Sequence, residues 1–462
     1  MQPMEAPGPK QAAPITVPRD ILDVFALLDK QALPAWLVGG CLRDLILGRR
    51  PEDWDFATPA TPETVREKLS AAGVPVWDTG LKHGTLTFRF RGVSYEITTF
   101  RRDGPYEDFR RPKWVAFTSS LEEDLARRDF TVNAMAWHWK EGLFDPFDGM
   151  GDMERKLIRA VGSPEDRLQE DALRILRGIR FAGKLDFALD DTLATVMAQK
   201  AELLLQISPE RLASELQAML LLPSPRPALT LLARLRIWPY LAPEMTQTLD
   251  YNQNSSHHHL DLYGHTLETV ENVPPDLALR LAALLHDVAK PLVFSLDEEG
   301  KSHFYHHDRE GSALAAVMLD RLRFGHALRD RVILLIRHHM LHLRTPDDAG
   351  LRRVMSNLPK PREESLEQIL LLQKADLTAS LYTEESLEDF ESFARRCRDI
   401  LAGGYPLDLA DLVVRGSELE GLGIPPASRG KAHKAMLAAV LRDPAANRRP
   451  ALLQIAEAYR ET

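Results

Sequence analysis

The stretch Leu37-Val-Gly39-Gly40-Cys-Leu-Arg43-Asp44-Leu-Ile-Leu-Gly-Arg-Arg-Pro51-Glu-Asp53-Trp54-Asp55-Phe-Ala57 constrains this chain more than any other. A short apolar run enters two glycines, a helical pattern carries Arg43 and Asp44, and Pro51 breaks it ahead of Asp53-Trp54-Asp55. Strand, turn, helix and second strand are the economical reading. Residues i and i+2 of a strand share a face, so Asp53 and Asp55 are expected side by side, where they repel unless divalent cations lie between them. Gly39 and Gly40 leave room for phosphates to approach the backbone N–H groups at the start of the helix, and Arg43 adds positive charge. Either half alone reads as an ordinary turn or a solvated strand end. In this order and spacing they point to phosphate and metal at one place.

A chain of 462 residues is too long for one core and is expected to split into three or four domains. The net charge of −9 means that any nucleic-acid contact must come from local basic patches. Two cysteines, Cys41 and Cys397, are too few for a disulfide framework or a cysteine-type zinc site and suit a reducing compartment. Residues 1–16 lack the apolar run of a signal peptide, and no segment has 18 uninterrupted apolar residues, so a cytoplasmic protein without membrane contact is expected.

Beyond the first motif, Thr61–Ser70 reads as a helix with Pro62 in its first turn. Gly84–Arg91 and Tyr95–Phe100 alternate around Arg91-Gly92 as a hairpin, which leaves Glu96 either beside the aspartates or in solvent. The segment from Arg101 to Phe117 is dense in charge and broken by Gly104, Pro105 and Pro112, as in an ordered but movable loop. Arg127-Arg128-Asp129-Phe130-Thr-Val-Asn133-Ala-Met follows. Strand, Gly-Gly, Arg-Asp, Asp-x-Asp, this loop and this last motif, in order, resemble the nucleotidyltransferase core shared by tRNA nucleotidyltransferases and bacterial poly(A) polymerases, specifically the class II CCA-adding type. The resemblance implies that Asp53 and Asp55 are catalytic and hold two Mg²⁺. It implies further that Gly39, Gly40, Arg43, Arg128 and Asn133 bind the nucleotide, and that Asp103, Gly104, Tyr106, Asp108, Arg110 and Arg111 belong to the family's flexible loop.

After Glu154 the pattern turns helical. Glu170-Asp171-Ala-Leu-Arg174-Ile-Leu-Arg177-Gly-Ile-Arg180-Phe181 reads as one helix with Asp171, Arg174 and Arg177 on a charged stripe and Leu173, Leu176 and Ile179 on an apolar one. It resembles the family's base-selecting element, which makes Asp171, Arg174, Arg177 and Arg180 nucleotide-binding. The selection follows from hydrogen bonding. Cytosine and adenine each present an exocyclic amine beside a ring-nitrogen acceptor, so a carboxylate accepts from the first while a guanidinium donates to the second. Guanine and uracil would set acceptor against acceptor and donor against donor, at a cost of roughly 1–3 kcal/mol for each buried mismatch. Ile207-Ser208-Pro209-Glu-Arg211 opens a further helix with Arg211 and Glu215 spaced i, i+4, a structural element by resemblance.

Twelve of the fifteen histidines lie between His257 and His342. Any one of them is as well explained by a core or surface role. The ordered set His265, His286-Asp287, His307, His339 and Asp376 resembles an HD phosphohydrolase domain, in which adjacent His-Asp bridges two ions and His307 and His339 complete a second site. The resemblance leaves both the activity and the metal of this domain open. The tail resembles the segment that follows the HD domain in some CCA-adding enzymes, although Pro426 and Ala427 interrupt its glycine turn; Lys431, Lys434, Arg442, Arg448 and Arg449 supply a basic face.

The expected fold is multidomain: an α/β nucleotidyltransferase head followed by all-helical neck, body, HD and tail domains. The expected divisions are a disordered 1–20, a head at 21–150, a nucleotide-selecting neck and body at 151–250, an HD domain at 251–383 and an RNA-binding tail at 384–462. The implied function is template-independent addition of C, A or both from CTP and ATP to the tRNA 3′ end. A-only addition beside a separate CC-adding partner, poly(A) polymerase activity, and an HD phosphohydrolase with a nucleotide- or RNA-binding head remain the alternatives. The sequence leaves the oligomeric state undetermined.

Overall fold

The computed structural model describes residues 15–80, 84–104, 106–107, 111–112, 114–252, 260–344 and 347–460. The chain forms two compact units, one of residues 1–219 and 230–241, the other of 220–229 and 242–462.

The first unit opens on helix α1 (Arg19–Lys30), whose Ile21, Val24, Phe25 and Leu28 are buried at helical spacing. Strand β1 (Trp36–Val38), helix α2 (Gly40–Ile46), strand β2 (Asp55–Thr58) and helix α3 (Pro62–Ala71) follow. Helix α3 is capped by the Thr61 hydroxyl, which accepts from the Thr64 N–H. Strands β3 (Val76–Gly80), β4 (Thr85–Phe90) and β5 (Val93–Thr99) come next. The β4–β5 turn is the two residues Arg91-Gly92, both at positive φ, with Phe90 opposite Val93. Then come β6 (Arg101–Asp103), β7 (Tyr106–Glu107), β8 (Arg111–Pro112), β9 (Val115–Phe117), helix α4 (Leu121–Ala126), β10 (Ala136–His138) and β11 (Gly142–Phe144).

Among the described residues one sheet has the order β11-β10-β1-β2-β5-β4-β3, with β2 and β5 parallel and the other neighbours antiparallel. Alternation along the strands feeds two cores. Leu37, Phe56, Tyr95 and Ile97 pack with α1, whereas Val38 and Ala57 pack with Leu125 of α4 and with Ala134. Asp55 lies two residues before Ala57 and therefore belongs to the face away from α1.

Helices α5 (Gly149–Glu154), α6 (Pro164–Glu170), α7 (Arg174–Leu185), α8 (Asp191–Gln199), α9 (Pro209–Leu220), α10 (Arg226–Arg234) and α11 (Trp238–Leu241) continue the chain. The parallel pair β12 (Leu157–Ile158) and β13 (Ala188–Leu189) joins the start of this region to the turn after α7. The second unit contains α12 (Leu262–Asn272), α13 (Leu277–Leu285), the hairpin β14 (Ser295–Leu296) and β15 (Ser302–His303), α14 (His307–Arg321), α15 (His326–His338), α16 (Asp348–Asn357) and α17 (Arg362–Ala379). It ends with α18 (Glu384–Ala402), α19 (Gly416–Gly421), α20 (Pro426–Arg442) and α21 (Arg449–Glu457). No helix among the described residues is long and apolar enough to cross a membrane.

The regions after the head are mostly helical, with β12–β13 and β14–β15 as short ladders between helices. One expectation needs correction. Order reaches into the stretch expected to be disordered, since α1 begins at Arg19 and Val17 packs on the head core. Helix α16, within the HD segment, also packs on α18 and α20 of the tail, where Arg352 donates to the carbonyls of Leu441 (2.8 Å) and Arg442 (3.1 Å). Those carbonyls lie at the end of α20, where the helix leaves them without partners of its own.

Candidate active site and a histidine-aspartate metal centre

Gly39 precedes α2 with φ 75° and ψ −139°, a conformation reserved for glycine. A Cβ at that position would stand 2.9 Å from Arg128 Nη1 and 3.8 Å from Asp55 Oδ2. The glycine, the arginine and the aspartate therefore converge. Asp55 opens β2, and the parallel register sets Glu96 of β5 directly beside it. Burial raises the Asp55 carboxyl above its usual value, Glu96 raises it further, Arg128 opposes them and Asp53 adds to the rise. Carboxylates outnumber the cationic side chains at this point, which fits a cation site.

The route by which Asp53 arrives differs from the expectation. Strand β2 starts at Asp55, so Asp53 lies on the exposed turn after Pro51 rather than two places along the same strand. Glu96 takes the position beside Asp55 that the i, i+2 argument gave to Asp53.

Arg43 turns inward. It is 2% exposed, donates to Asp44 Oδ1 (2.7 and 2.9 Å) and to Asn133 Oδ1 (2.6 Å), and its guanidinium lies 5.2 Å from the Phe181 ring centroid. Asn133 donates in turn to Asp129 Oδ1 (3.2 Å), and Asp129 Oδ2 accepts from Arg177 (2.6 and 2.9 Å). Arg177 and Arg180 also approach Phe181, at 5.5 and 4.6 Å. A continuous chain of bonds thus runs from the helix after the glycines to α7. Next to Arg177, Gly178 packs closely on its neighbours: a Cβ there would collide with Met197 and press on Phe130.

The segment expected to select the base is not one helix. Helix α6 ends at Glu170, Asp171 is extended (φ −141°), and α7 begins at Arg174. The Asp171 side chain accepts from the Leu173 N–H (3.1 Å), a local bond that competes with helix continuation. Asp171 and Arg174 therefore take separate partners. Arg174, 7% exposed, donates to Glu170 (2.6 Å) and to the carbonyls of Arg167 (2.9 Å) and Arg127 (3.0 Å), while Asp171 accepts from Arg211 (2.9 Å). Arg180 pairs with Glu215 at 2.7 Å. Arg211 and Glu215, read from sequence as an intrahelical pair, hold Asp171 and Arg180 instead. Their i, i+4 spacing hid this, since spacing along a helix is silent about what faces it.

Of the loop residues, Asp103 and Gly104 are described, with the Gly104 N–H bonded to the Trp114 carbonyl (2.9 Å). For Tyr106 and Arg111 only the backbone is described, in the β7–β8 pair. Asp108 and Arg110 lie outside the described residues. A cleft of about 1230 Å³ lined by Leu45, Arg49, Arg50, Trp54 and Met150 adjoins the Pro51 turn, but Gly39, Asp55 and Arg128 do not line it.

In the second unit, His265 lies on α12, Asp376 on α17 and His307 at the start of α14, while His286 and His339 close α13 and α15. Three histidines bond Nδ1 to the carbonyl three residues back: His286 to Ala283 (2.8 Å), His307 to Phe304 (2.7 Å) and His339 to Ile336 (2.6 Å). His265 Nδ1 lies 3.4 Å from the Ala379 carbonyl. A proton on Nδ1 turns every Nε2 lone pair inward. His265 and His286 then face each other at 3.3 Å and His307 and His339 at 3.1 Å, contacts that a shared cation or a proton would satisfy. Two ligand groups result: His265, His286 and Asp376, then Asp287, His307 and His339. Asp287 reaches both, 3.2 Å from His286 through Oδ2 and 3.4 Å from His307 through Oδ1. Burial opposes ionisation of Asp287 and Asp376, yet the surrounding histidines, with Lys290 beside Asp287, hold both well below the usual range. His286 is lifted to about 10 against its own burial by these two anions. The residue set fits divalent cations, which these two groups would hold.

Lys431, Lys434, Arg442, Arg448 and Arg449 of the tail are all exposed, and Arg449 pairs with Glu418 at 2.5 Å. Cys41 and Cys397 are buried free thiols, each pushed up to about 12 chiefly by burial.

Comparison with known proteins agrees with this architecture. Residues 35–159 match the poly A polymerase head domain, 186–249 the probable RNA and SrmB-binding site of polymerase A, and 262–381 the HD domain. Over residues 35–159 the chain is thus similar to the head domain of that nucleotidyltransferase family. The CCA-adding enzyme of Lactobacillus delbrueckii subsp. bulgaricus is 46% identical over 194 residues, 42% of this chain and 48% of that protein. The Geobacillus kaustophilus CCA-adding enzyme is 44% identical over 220 residues, 48% of this chain and 54% of that one. The chain thus spans about half the length of the curated relatives it matches. The crystal structure of the Bacillus stearothermophilus CCA-adding enzyme in complex with CTP matches with a TM-score of 0.68 at 26% identity, covering 96% of this chain and 98% of that one.

Proposed function

We propose that the protein is a template-independent tRNA nucleotidyltransferase that adds C and A, from CTP and ATP, to the tRNA 3′ end. The observation that carries this reading is the convergence of Gly39, Arg128, Asp55 and Glu96 at one end of the head sheet. Asp53 and Asp55 would hold two Mg²⁺, which when bound activate the 3′-hydroxyl for in-line attack on the α-phosphate and neutralise the leaving pyrophosphate. Arg128 holds the triphosphate by charge-assisted bonds over the bare backbone of Gly39 and Gly40. Asn133 and the buried Arg43 fix the helix that presents these glycines, and Asp171 and Arg174 read the base edge. Arg174 must turn outward from Glu170 and the two carbonyls to do so.

The test is incubation of the protein with tRNA lacking its 3′ end, CTP, ATP and Mg²⁺, with product length read on a gel. Growth by three nucleotides is expected. Long A tails would identify a poly(A) polymerase, addition of A alone an A-adding enzyme, and no addition would remove the head from catalysis.

A second reading concerns the HD domain. The facing Nε2 pairs and the bridging Asp287 support a dinuclear phosphohydrolase centre, in which Lys290, 2.6 Å from Asp287, supplies positive charge near the phosphoryl group. Its assay is hydrolysis of a 2′,3′-cyclic nucleotide with a divalent transition metal.

A further inference from the structure

Asp124, on α4, has no role in the site described above, yet its carboxylate touches three of the site's supports. It is 1% exposed. Oδ1 accepts from the Arg101 N–H (3.3 Å) and from Arg127 Nε and Nη2 (3.0 and 2.7 Å), and Oδ2 accepts from Arg128 Nη2 (3.4 Å). Arg101 begins β6, which pairs with β9, residue for residue from Arg101–Phe117 to Asp103–Val115. Arg128 is the arginine over Gly39, and the Arg127 carbonyl is one of the groups holding Arg174. One buried anion therefore joins the β6–β9 pair, the triphosphate side and the base-reading side. Its charge is secure: burial opposes ionisation, but Arg127 and Arg128 hold the carboxyl below the usual range.

We infer that Asp124 is a positioning residue that sets Arg128 and Arg174 in register with the β6–β9 pair and so governs the change from C to A addition. The inference rests on the nucleotidyltransferase reading. A pocket that accepts cytosine and then the larger adenine must let Arg174 shift, and Arg174 is restrained by the carbonyl of the residue whose guanidinium Asp124 grips. A displacement of β6 pulls the Asp124 carboxylate through the Arg101 N–H, and α4 with Arg127 and Arg128 follows. C addition needs only the resting arrangement; A addition needs the displacement. The strand pair is pinned from its far end by Trp114, whose ring lies against Gly104 and whose carbonyl accepts the Gly104 N–H.

The test is a double-mutant cycle with Asp124→Asn and Trp114→Ala, in full-length protein, with kcat and KM measured separately for C and A addition. Asp124→Asn keeps the shape and removes the charge. Each single variant is expected to lower the ratio of A to C turnover about tenfold with KM for CTP within about twofold, and the double variant to fall no further, because both interrupt one path. If the wild type adds A only, the expected result is a fall in kcat for A at unchanged KM for ATP, again without additivity. Equal loss for both nucleotides, or lesions that add, would overturn the inference and leave Asp124 a structural anchor. Should Asp124→Asn fail to fold in a thermal melt, Arg127→Lys breaks the same bidentate grip while keeping charge and carbonyl, and carries the same expectation. Wild-type protein that adds no nucleotide refutes the underlying reading, which separates the two failures.

Discussion

Replacing Gly39 by alanine isolates the contact between the phosphate-side backbone and Arg128. At φ 75° and ψ −139° a residue with a Cβ is strained by about 1–3 kcal/mol. That alone lowers the melting temperature by roughly 2–10 °C in a unit of this size. The new Cβ would also stand 2.9 Å from Arg128 Nη1, closer than carbon and nitrogen pack, so Arg128 must withdraw from the Asp55 side. Loss of its charge-assisted bonds to a triphosphate removes about 1.5–3 kcal/mol, which converts to a fall of about 10- to 150-fold in kcat/KM. Gly73→Ala provides the control: its φ of +72° also strains an alanine, but nothing lies within 4 Å of its Cβ. Initial rates of nucleotide addition and thermal melts should show both variants destabilised and only Gly39→Ala impaired in rate. Equal activity in the two would refute the assignment of Arg128 to the nucleotide, and undiminished stability in both would refute the strain argument.

Asp55→Asn should abolish nucleotide transfer while raising stability in EDTA at neutral pH. The raised carboxyl of Asp55 means that its charge is a penalty, present in full above the raised value and gone below the ordinary 3.8; the gain in melting temperature should therefore vanish at about pH 3, and a pH-independent gain would exclude charge as its cause. Asp287→Ala should lose both bound transition metal and phosphodiester hydrolysis while nucleotide addition continues; hydrolysis that survives would place that activity elsewhere. Arg211→Ala frees Asp171 from its partner at 2.9 Å and should lower discrimination of CTP over UTP about tenfold, measured as the ratio of kcat/KM; an unchanged ratio would make Arg211 a scaffold residue only.

What sequence reveals and what it hides divides along a physical line. The Arg91-Gly92 hairpin and the start of α3 are local, set by turn chemistry and by Pro62 in the first turn, and both were legible within a residue. The helix across Asp171 was not, because apolar spacing runs on through the break while the Asp171 side chain satisfies the Leu173 N–H. Partner choice was hidden for a different reason. Arg174 has carboxylates at positions 170 and 171, and only the three-dimensional path of the chain gives it Glu170 and gives Asp171 to Arg211. The burial of Arg43 was equally invisible, since Asn133 lies ninety residues away. In the second unit the ordered histidines and aspartates, by resemblance, already pointed to two sites, whereas the meeting of their side chains around Asp287 depends on where each helix ends.

The bonded line Asp44, Arg43, Asn133, Asp129, Arg177 makes heredity in this stretch a collective matter. Each member is both satisfied by and necessary to its neighbour, so no single substitution can be neutral by simply removing a polar group. A library randomised at these five positions and selected for nucleotide addition should return linked exchanges, such as charge swapped between positions 129 and 177, far more often than solitary changes. Such a group of residues drifts together or stands still.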